Sequence, residues 1–206
     1  MKDRELITRR HALSRALAAG AGGATIASVL TAGRADAAAA PEPTDGQLVY
    51  TTLAVEQLVV AGYERVIASG KLSTASELLA HQMLSYEQVH VAVLSRELQN
   101  LGVSAPPSLA AASTSSLDTI LATKQVAERI AAIDSNADAL RVLIRLEEVA
   151  EGAYYHAIPQ LSDPRLVEQS AQIMAAEAQH RTVLSEAMAP GDLQKAVPVA
   201  FVQGRG

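Results

Sequence analysis

Two Glu-x-x-His motifs, Glu87-Gln-Val-His90 and Glu177-Ala-Gln-His180, are the residues of this chain best suited to chemistry. Positions i and i+3 of a helix share a face about one turn apart. Each motif can therefore turn one carboxylate oxygen and one imidazole nitrogen onto a single metal ion, while the second carboxylate oxygen bridges to a neighbour. A lone Glu sits in an apolar helical pattern ahead of each motif, Glu56 ahead of the first and Glu147 ahead of the second. Four carboxylates and two imidazoles in this order are the donor inventory of a two-metal centre inside a four-helix bundle. Composition predicts about 0.3 Glu-x-x-His pairs by chance in residues 38–206. Two occur, both on apolar seams.

Charge leads to the same chemistry. A carboxylate buried in a seam suffers a desolvation penalty of several kcal/mol unless it is paired, and these seams carry no Lys or Arg. Two divalent cations would neutralise the four carboxylates, with both histidines bound as neutral imidazoles. Carboxylate oxygen with imidazole nitrogen suits iron or manganese, and zinc less specifically; two divalent ions are expected, iron first and manganese next.

Positioning six such groups needs long helices, and the periodicity predicts four. The first covers about 48–69, with Leu53, Glu56, Val60, Tyr63 and Ile67 at spacings of three and four, and stops at Gly70. The second starts after Ser73/Thr74, where Glu77 completes a capping-box pattern with Thr74. Its seam is Met83, Glu87, His90, Leu94 and Leu101, and Gly102 ends it. A loop with Pro106 and Pro107 leads to a shorter helical pattern over 117–133, suited to a crossover along the bundle. The third main helix spans about 137–159, with Leu140, Ile144, Glu147, Glu151, Tyr154 and Ile158 on one face. The fourth follows the Asp163-Pro164 start signal, carries Ile173, Glu177, His180 and Leu184, and ends near Pro190-Gly191. The expected fold is an all-α four-helix bundle with a long crossover, carrying a short extra helix, between helices two and three.

The two halves repeat. Glu56 and Tyr63 match Glu147 and Tyr154, Glu87/His90 match Glu177/His180, and Gly102 matches Gly191. One helix pair used twice gives a pseudo-twofold bundle whose ligands converge on its axis. Glu151 shares the face of Glu147 and reads either as an additional, switchable ligand or as a rim carboxylate. Tyr63 and Tyr154 read as hydrogen-bond donors to ligand carboxylates, as radical or electron relays, or as core filling. His81 and His156 lie half a helical turn away from the ligand face and are not expected to bind metal, and Glu148 is expected to point away.

Residues 1–37 read as an export signal rather than as structure. A charged start leads to an uncharged stretch over 16–33 and a small-x-small site at Ala35-Asp36-Ala37. Thr8-Arg9-Arg10-His11-Ala12-Leu13 resembles the twin-arginine motif, departing from it at Ala12, where an aromatic is usual, and at Ser14, where Lys is. The expected partner in export is the twin-arginine translocation machinery, and the expected location is periplasmic, extracellular or cell-envelope. The alternative is a membrane anchor left by an uncleaved signal. Residues 38–47, with Pro41 and Pro43, form a linker ending in a helix N-cap region at Thr44-Asp45, and 190–206 a tail whose apolar 197–202 could dock on the bundle or fray. Without residues 1–37 the chain keeps 11 basic residues against 19 acidic, and no basic patch for nucleic acid. It has no cysteine, which excludes disulfides, iron–sulfur clusters and a rubredoxin-type relay.

Val55-Glu56 through Tyr63, Glu87-Gln-Val-His90 on to Leu101-Gly102, Leu146-Glu147 through Tyr154, and Glu177-Ala-Gln-His180 resemble the ferritin-like superfamily, most of all exported bacterial ferritin-like domain proteins related to desiccation-related proteins. The resemblance covers nearly all of 48–189. It implies that Glu56, Glu87, Glu147 and Glu177 hold and bridge two metal ions, and that His90 and His180 each complete one. It further implies metal ions and small oxidants as partners, with Fe(II) oxidation or consumption of peroxide or oxygen as the activity and a homodimer as an allowed assembly. The rival expectation is a non-catalytic envelope or stress protein with at most a structural metal.

Overall fold

The computed structural model describes residues 42–199 and Gly204. The export segment expected over 1–37 and most of the expected linker lie outside them. Four long helices dominate: α1 (Asp45–Ala68), α2 (Thr74–Asn100), α4 (Asn136–Ala157) and α5 (Pro164–Met188). A short α3 (Thr114–Thr123) lies in the crossover, and a four-residue α6 (Leu193–Ala196) in the tail. The described residues contain no strand, and the all-α bundle with its crossover helix is the expected fold. No helix among them is long and apolar enough to cross a membrane.

Local chemistry sets the ends. Thr44 caps α1 in a full capping box, its hydroxyl accepting from the Gln47 amide while the Gln47 side chain accepts from the Thr44 N–H. The box expected at Thr74/Glu77 does not form. Ser73, in extended backbone, is the cap and accepts from the Ser76 amide, so Glu77 falls one residue too late. Gly70 and Gly102 follow α1 and α2 at φ +65 and +68, the left-handed geometry that ends a helix most cheaply at glycine. The crossover is helical over a shorter stretch than expected. After Thr123 the chain turns through Gln125 at φ +59, and a 3-10 turn at Ile130–Ala132 is held by the Asp118 carboxylate, 2.7 Å from the Ile130 amide.

Packing explains the seams. α1 pairs with α2, α4 pairs with α5, and α1 packs against α4. Among the described residues α2 and α5 barely touch, so their bundle is closed on three edges and open on the fourth. At Gly62 a Cβ would come within 2.5 Å of Leu146 Cδ1. That close approach of α1 to α4 lies one residue before both Tyr63 and Glu147. Leu101, expected in the α2 seam, is 40% exposed at the helix end, and Leu98 fills the core instead. In the tail, Val197 and Val199 are exposed while Ala196 is buried. The tail also touches α4 at Gly204, where a Cβ would meet the Gly152 nitrogen at 2.0 Å.

Candidate metal centre

The six residues singled out by spacing converge. Glu56 comes from α1, Glu87 and His90 from α2, Glu147 from α4, and Glu177 and His180 from α5. All four carboxylates have zero exposure, in a core built mainly of Leu, Val, Ala, Ile and Tyr. Their donor atoms form two groups, Glu56–Glu87–His90–Glu177 and Glu87–Glu147–Glu177–His180, with the atoms of each group within 4.8 Å of one another.

The two groups mirror each other atom by atom. His90 Nδ1 lies 3.9 Å from Glu56 Oε2, 3.2 Å from Glu87 Oε2 and 2.9 Å from Glu177 Oε1. His180 Nδ1 lies 3.6 Å from Glu147 Oε2, 2.8 Å from Glu87 Oε1 and 3.4 Å from Glu177 Oε2. Glu87 and Glu177 thus give one oxygen to each group, whereas Glu56 and Glu147 serve one group each. The remaining oxygens of these two are taken by tyrosines across the bundle. Tyr154 donates to Glu56 Oε1 at 2.5 Å, and Tyr63 donates to Glu147 Oε1.

The donor set fits divalent ions. Glu56 Oε2, Glu87 Oε1, Glu147 Oε2, both Glu177 oxygens and His180 Nδ1 are buried and make no hydrogen bond. His180 Nδ1 stands 2.8 Å from Glu87 Oε1 without the alignment of a hydrogen bond, and the cluster's one imidazole–carboxylate hydrogen bond joins His90 Nδ1 to Glu87 Oε2 at 3.2 Å. Buried polar atoms normally find partners. Atoms that approach closely without pairing are aimed at common points between them, and a cation at each point would satisfy them.

Protons neutralise the cluster when no cation does. Burial, then the Glu87 charge, pushes the Glu56 carboxyl well above the usual range; burial, then Glu56 and Glu147, does the same to Glu177. Burial disfavours the Glu87 carboxylate too, but His180 and His90 outweigh it and hold Glu87 down at about 2. Burial likewise opposes protonation of both imidazoles. Their carboxylate neighbours win, raising His90 through Glu87 and Glu56, and His180 to about 12 through Glu147, Glu177 and Glu87. Tyr63 and Tyr154 are pushed far up by burial and then by the carboxylates they contact, so both hydroxyls keep the proton they donate.

Glu151 is fully buried but belongs to neither group. Arg181 Nε approaches its Oε1 at 3.0 Å, as an ion pair whose N–H is not aligned for a hydrogen bond. Burial, against the pull of Arg181, raises this carboxyl to about 7. His81 and His156 are exposed, and Glu148 turns to Arg145 at 2.8 Å.

The family model described as Ferritin-like domain matches residues 44–190, which takes in all six residues. The chain belongs to the ferritin-like domain family. A crystal structure of a conserved hypothetical protein from Mycobacterium tuberculosis is similar to it, with a TM-score of 0.57 and 19% identity over 69% of this chain and 96% of that one. At that identity the likeness shows the ferritin-like fold alone. No curated protein matches this sequence.

One part of this ferritin-like site was not anticipated from sequence. Along the open edge between α2 and α5 runs a groove of about 560 Å³ with His90 and His180 in its wall. Tyr86, 45% exposed, stacks on His180 with ring centroids 5.7 Å apart, and Gln82 Nε2 donates to its hydroxyl at 2.8 Å. The signal was a second stripe at spacings of three and four, Leu79-Met83-Tyr86-His90 on one helix and Ala176-His180-Val183 on the other.

Proposed function

We propose that this ferritin-like protein holds two divalent metal ions, iron first and manganese next, and uses them to consume peroxide or oxygen outside the cytoplasm, oxidising Fe(II) where iron is the metal. One observation carries the reading: two mirrored donor sets share Glu87 and Glu177, and of the buried carboxylate oxygens facing their imidazoles all but Glu87 Oε2, which meets His90 Nδ1, lack a hydrogen-bond partner. Glu56, Glu87 and Glu177 with His90 would hold one ion. Glu147, Glu87 and Glu177 with His180 would hold the other. Redox-active ions there would supply the electrons that reduce the oxidant, with further Fe(II), or a second molecule of peroxide where manganese is bound, restoring them. The chain's own contribution is positional. Tyr63 and Tyr154 fix the terminal carboxylates, the apolar core excludes water on three sides, and the groove admits small molecules on the fourth.

That groove favours a reactive centre over a purely structural ion, because structural sites are closed whereas catalytic sites keep an open approach. Its lining contains no Lys, Arg, Asp or Glu. Such a path suits neutral oxidants better than a hydrated cation, which would shed water there without compensation. The test is to express the full chain, quantify bound iron and manganese, and follow peroxide and oxygen loss with each metal. The expected result is about two ions per chain and consumption that disappears on chelation. A protein with two ions and no effect on either oxidant would leave the structural-metal, stress-protein reading standing instead.

A further inference from the structure

The groove is larger than an oxidant alone needs. A water molecule occupies about 30 Å³ in the liquid, and peroxide or oxygen needs little more, whereas the groove, open along its solvent side, offers about 560 Å³. That lies within the ~300–1,000 Å³ typical of pockets for organic ligands. Leu79, Met83, Val89, Ala176 and Val183 line it, with Tyr86 over His180. Val89 and Val183 are 57% and 45% exposed, so apolar surface stands open beside the centre. Gln82 has turned its amide to Tyr86, which leaves Gln179 as the amide that can meet a polar group of an occupant.

We propose that this groove binds a neutral, largely apolar organic molecule, one end of it against Tyr86 and the imidazoles of His90 and His180. The occupant is uncharged because no Lys, Arg, Asp or Glu lines the groove and both imidazoles are already engaged by the buried carboxylates. An anion or cation would find no free partner, and burying an unpaired charge costs several kcal/mol. It is elongated because the open edge follows two long helices. Continuity with the histidines makes it a ligand of the same centre. The inference rests on the two-metal reading for that placement but not for the groove itself.

The test is fluorescence titration with N-phenyl-1-naphthylamine, a neutral apolar probe, on the full chain as purified and after metal removal. Saturable binding of one probe per chain is expected in both states. It should be displaced by 1-decanol at concentrations at least about tenfold below those needed for decanoate, the discrimination a charge penalty of ~1.4 kcal/mol provides. Val183→Arg at the half-exposed rim and Ala176→Phe in the lining should each weaken probe binding about tenfold or more. Circular dichroism and metal content report separately that each variant is folded. No saturable binding to a folded protein, or unchanged affinity in both variants, overturns the proposal. So does sedimentation showing a dimer that excludes the probe and that Val89→Glu dissociates, since the groove would then belong to a second copy. Two ions without probe binding overturns the groove and leaves the metal centre standing. Probe binding without metal overturns the function proposed above and leaves the groove.

Discussion

Tyr154 on α4 donates its hydroxyl to Glu56 on α1 at 2.5 Å, and Tyr63 on α1 donates back to Glu147 on α4. Each tyrosine thus serves the carboxylate of the other half of the repeat, tying the two inner helices together at the level of the candidate ions. Each donation also occupies one oxygen of a carboxylate that serves only one donor group.

That exchange predicts separable effects. Tyr154→Phe frees Glu56 and should weaken the ion beside His90, while Tyr63→Phe frees Glu147 and should weaken the ion beside His180. Loss of a group that orients a ligand typically lowers metal affinity about 10–100-fold. Titration with limiting Mn(II) or Fe(II) should show one tight and one weakened site in each variant. Equal weakening of both sites by either change would break the assignment.

Sharing predicts a different pattern for Glu87 and Glu177. Glu87→Gln or Glu177→Gln removes a donor from both groups, so retained metal should fall towards none, whereas Glu56→Gln or Glu147→Gln should leave about one ion. Elemental analysis after gel filtration reads this directly.

The pH dependence has a definite sign. In the metal-free protein His90, His180, Glu56 and Glu177 all have folded pKa values above their unfolded ones. The native state then binds more protons than the unfolded state, and stability must fall as pH rises. The carboxyl contributions are complete below the ordinary Glu range near 4.5 and the imidazole contributions below about 6.5. Glu87 has the opposite sign, but its window lies between about 2 and 4.5. Between pH 5 and 8 the melting temperature of metal-free protein should drop, and metal should restore it by displacing the same protons. Calorimetry in buffers of different ionisation enthalpy should show more than one proton released per chain on loading.

Glu151 is predicted to lie outside the metal set. Glu151→Gln should keep two ions per chain, and because the carboxyl it replaces is raised to about 7, it should flatten the loss of stability on going from pH 5 to pH 8. A variant that loses an ion would make Glu151 a ligand.

Gly62 tests the helix contact that sets this geometry. Gly62→Ala places a methyl 2.5 Å from Leu146 Cδ1, an overpacking expected to cost about 1–3 kcal/mol. Urea unfolding of the metal-free protein measures it.

Spacing made much of this legible. Each Glu-x-x-His fixes a shared face within one helix, and the repeat identified which lone Glu belonged with it, so the six donors were readable as a set. What periodicity lacks is the neighbour. It places Tyr63 and Tyr154 on the seam but cannot say that each reaches the opposite half. Arg181, next to His180, carried no pattern pointing it to Glu151. Tyr86 and Val89 do not by themselves signal the groove, because an open edge between α2 and α5 is a property of helix pairing. The crossover helix is shorter than its spacing predicts because Ile130 continues the apolar pattern, while Gln125 at φ +59 and the Asp118 cap break the helix without a proline to announce it.

The central claim is two ions sharing Glu87 and Glu177, and anomalous diffraction from crystals grown with Fe(II) or Mn(II) tests it most directly. The account predicts two peaks per chain, one bonded to His90 and the other to His180, both in contact with Glu87 and Glu177. A single peak, none, or ions elsewhere would contradict it.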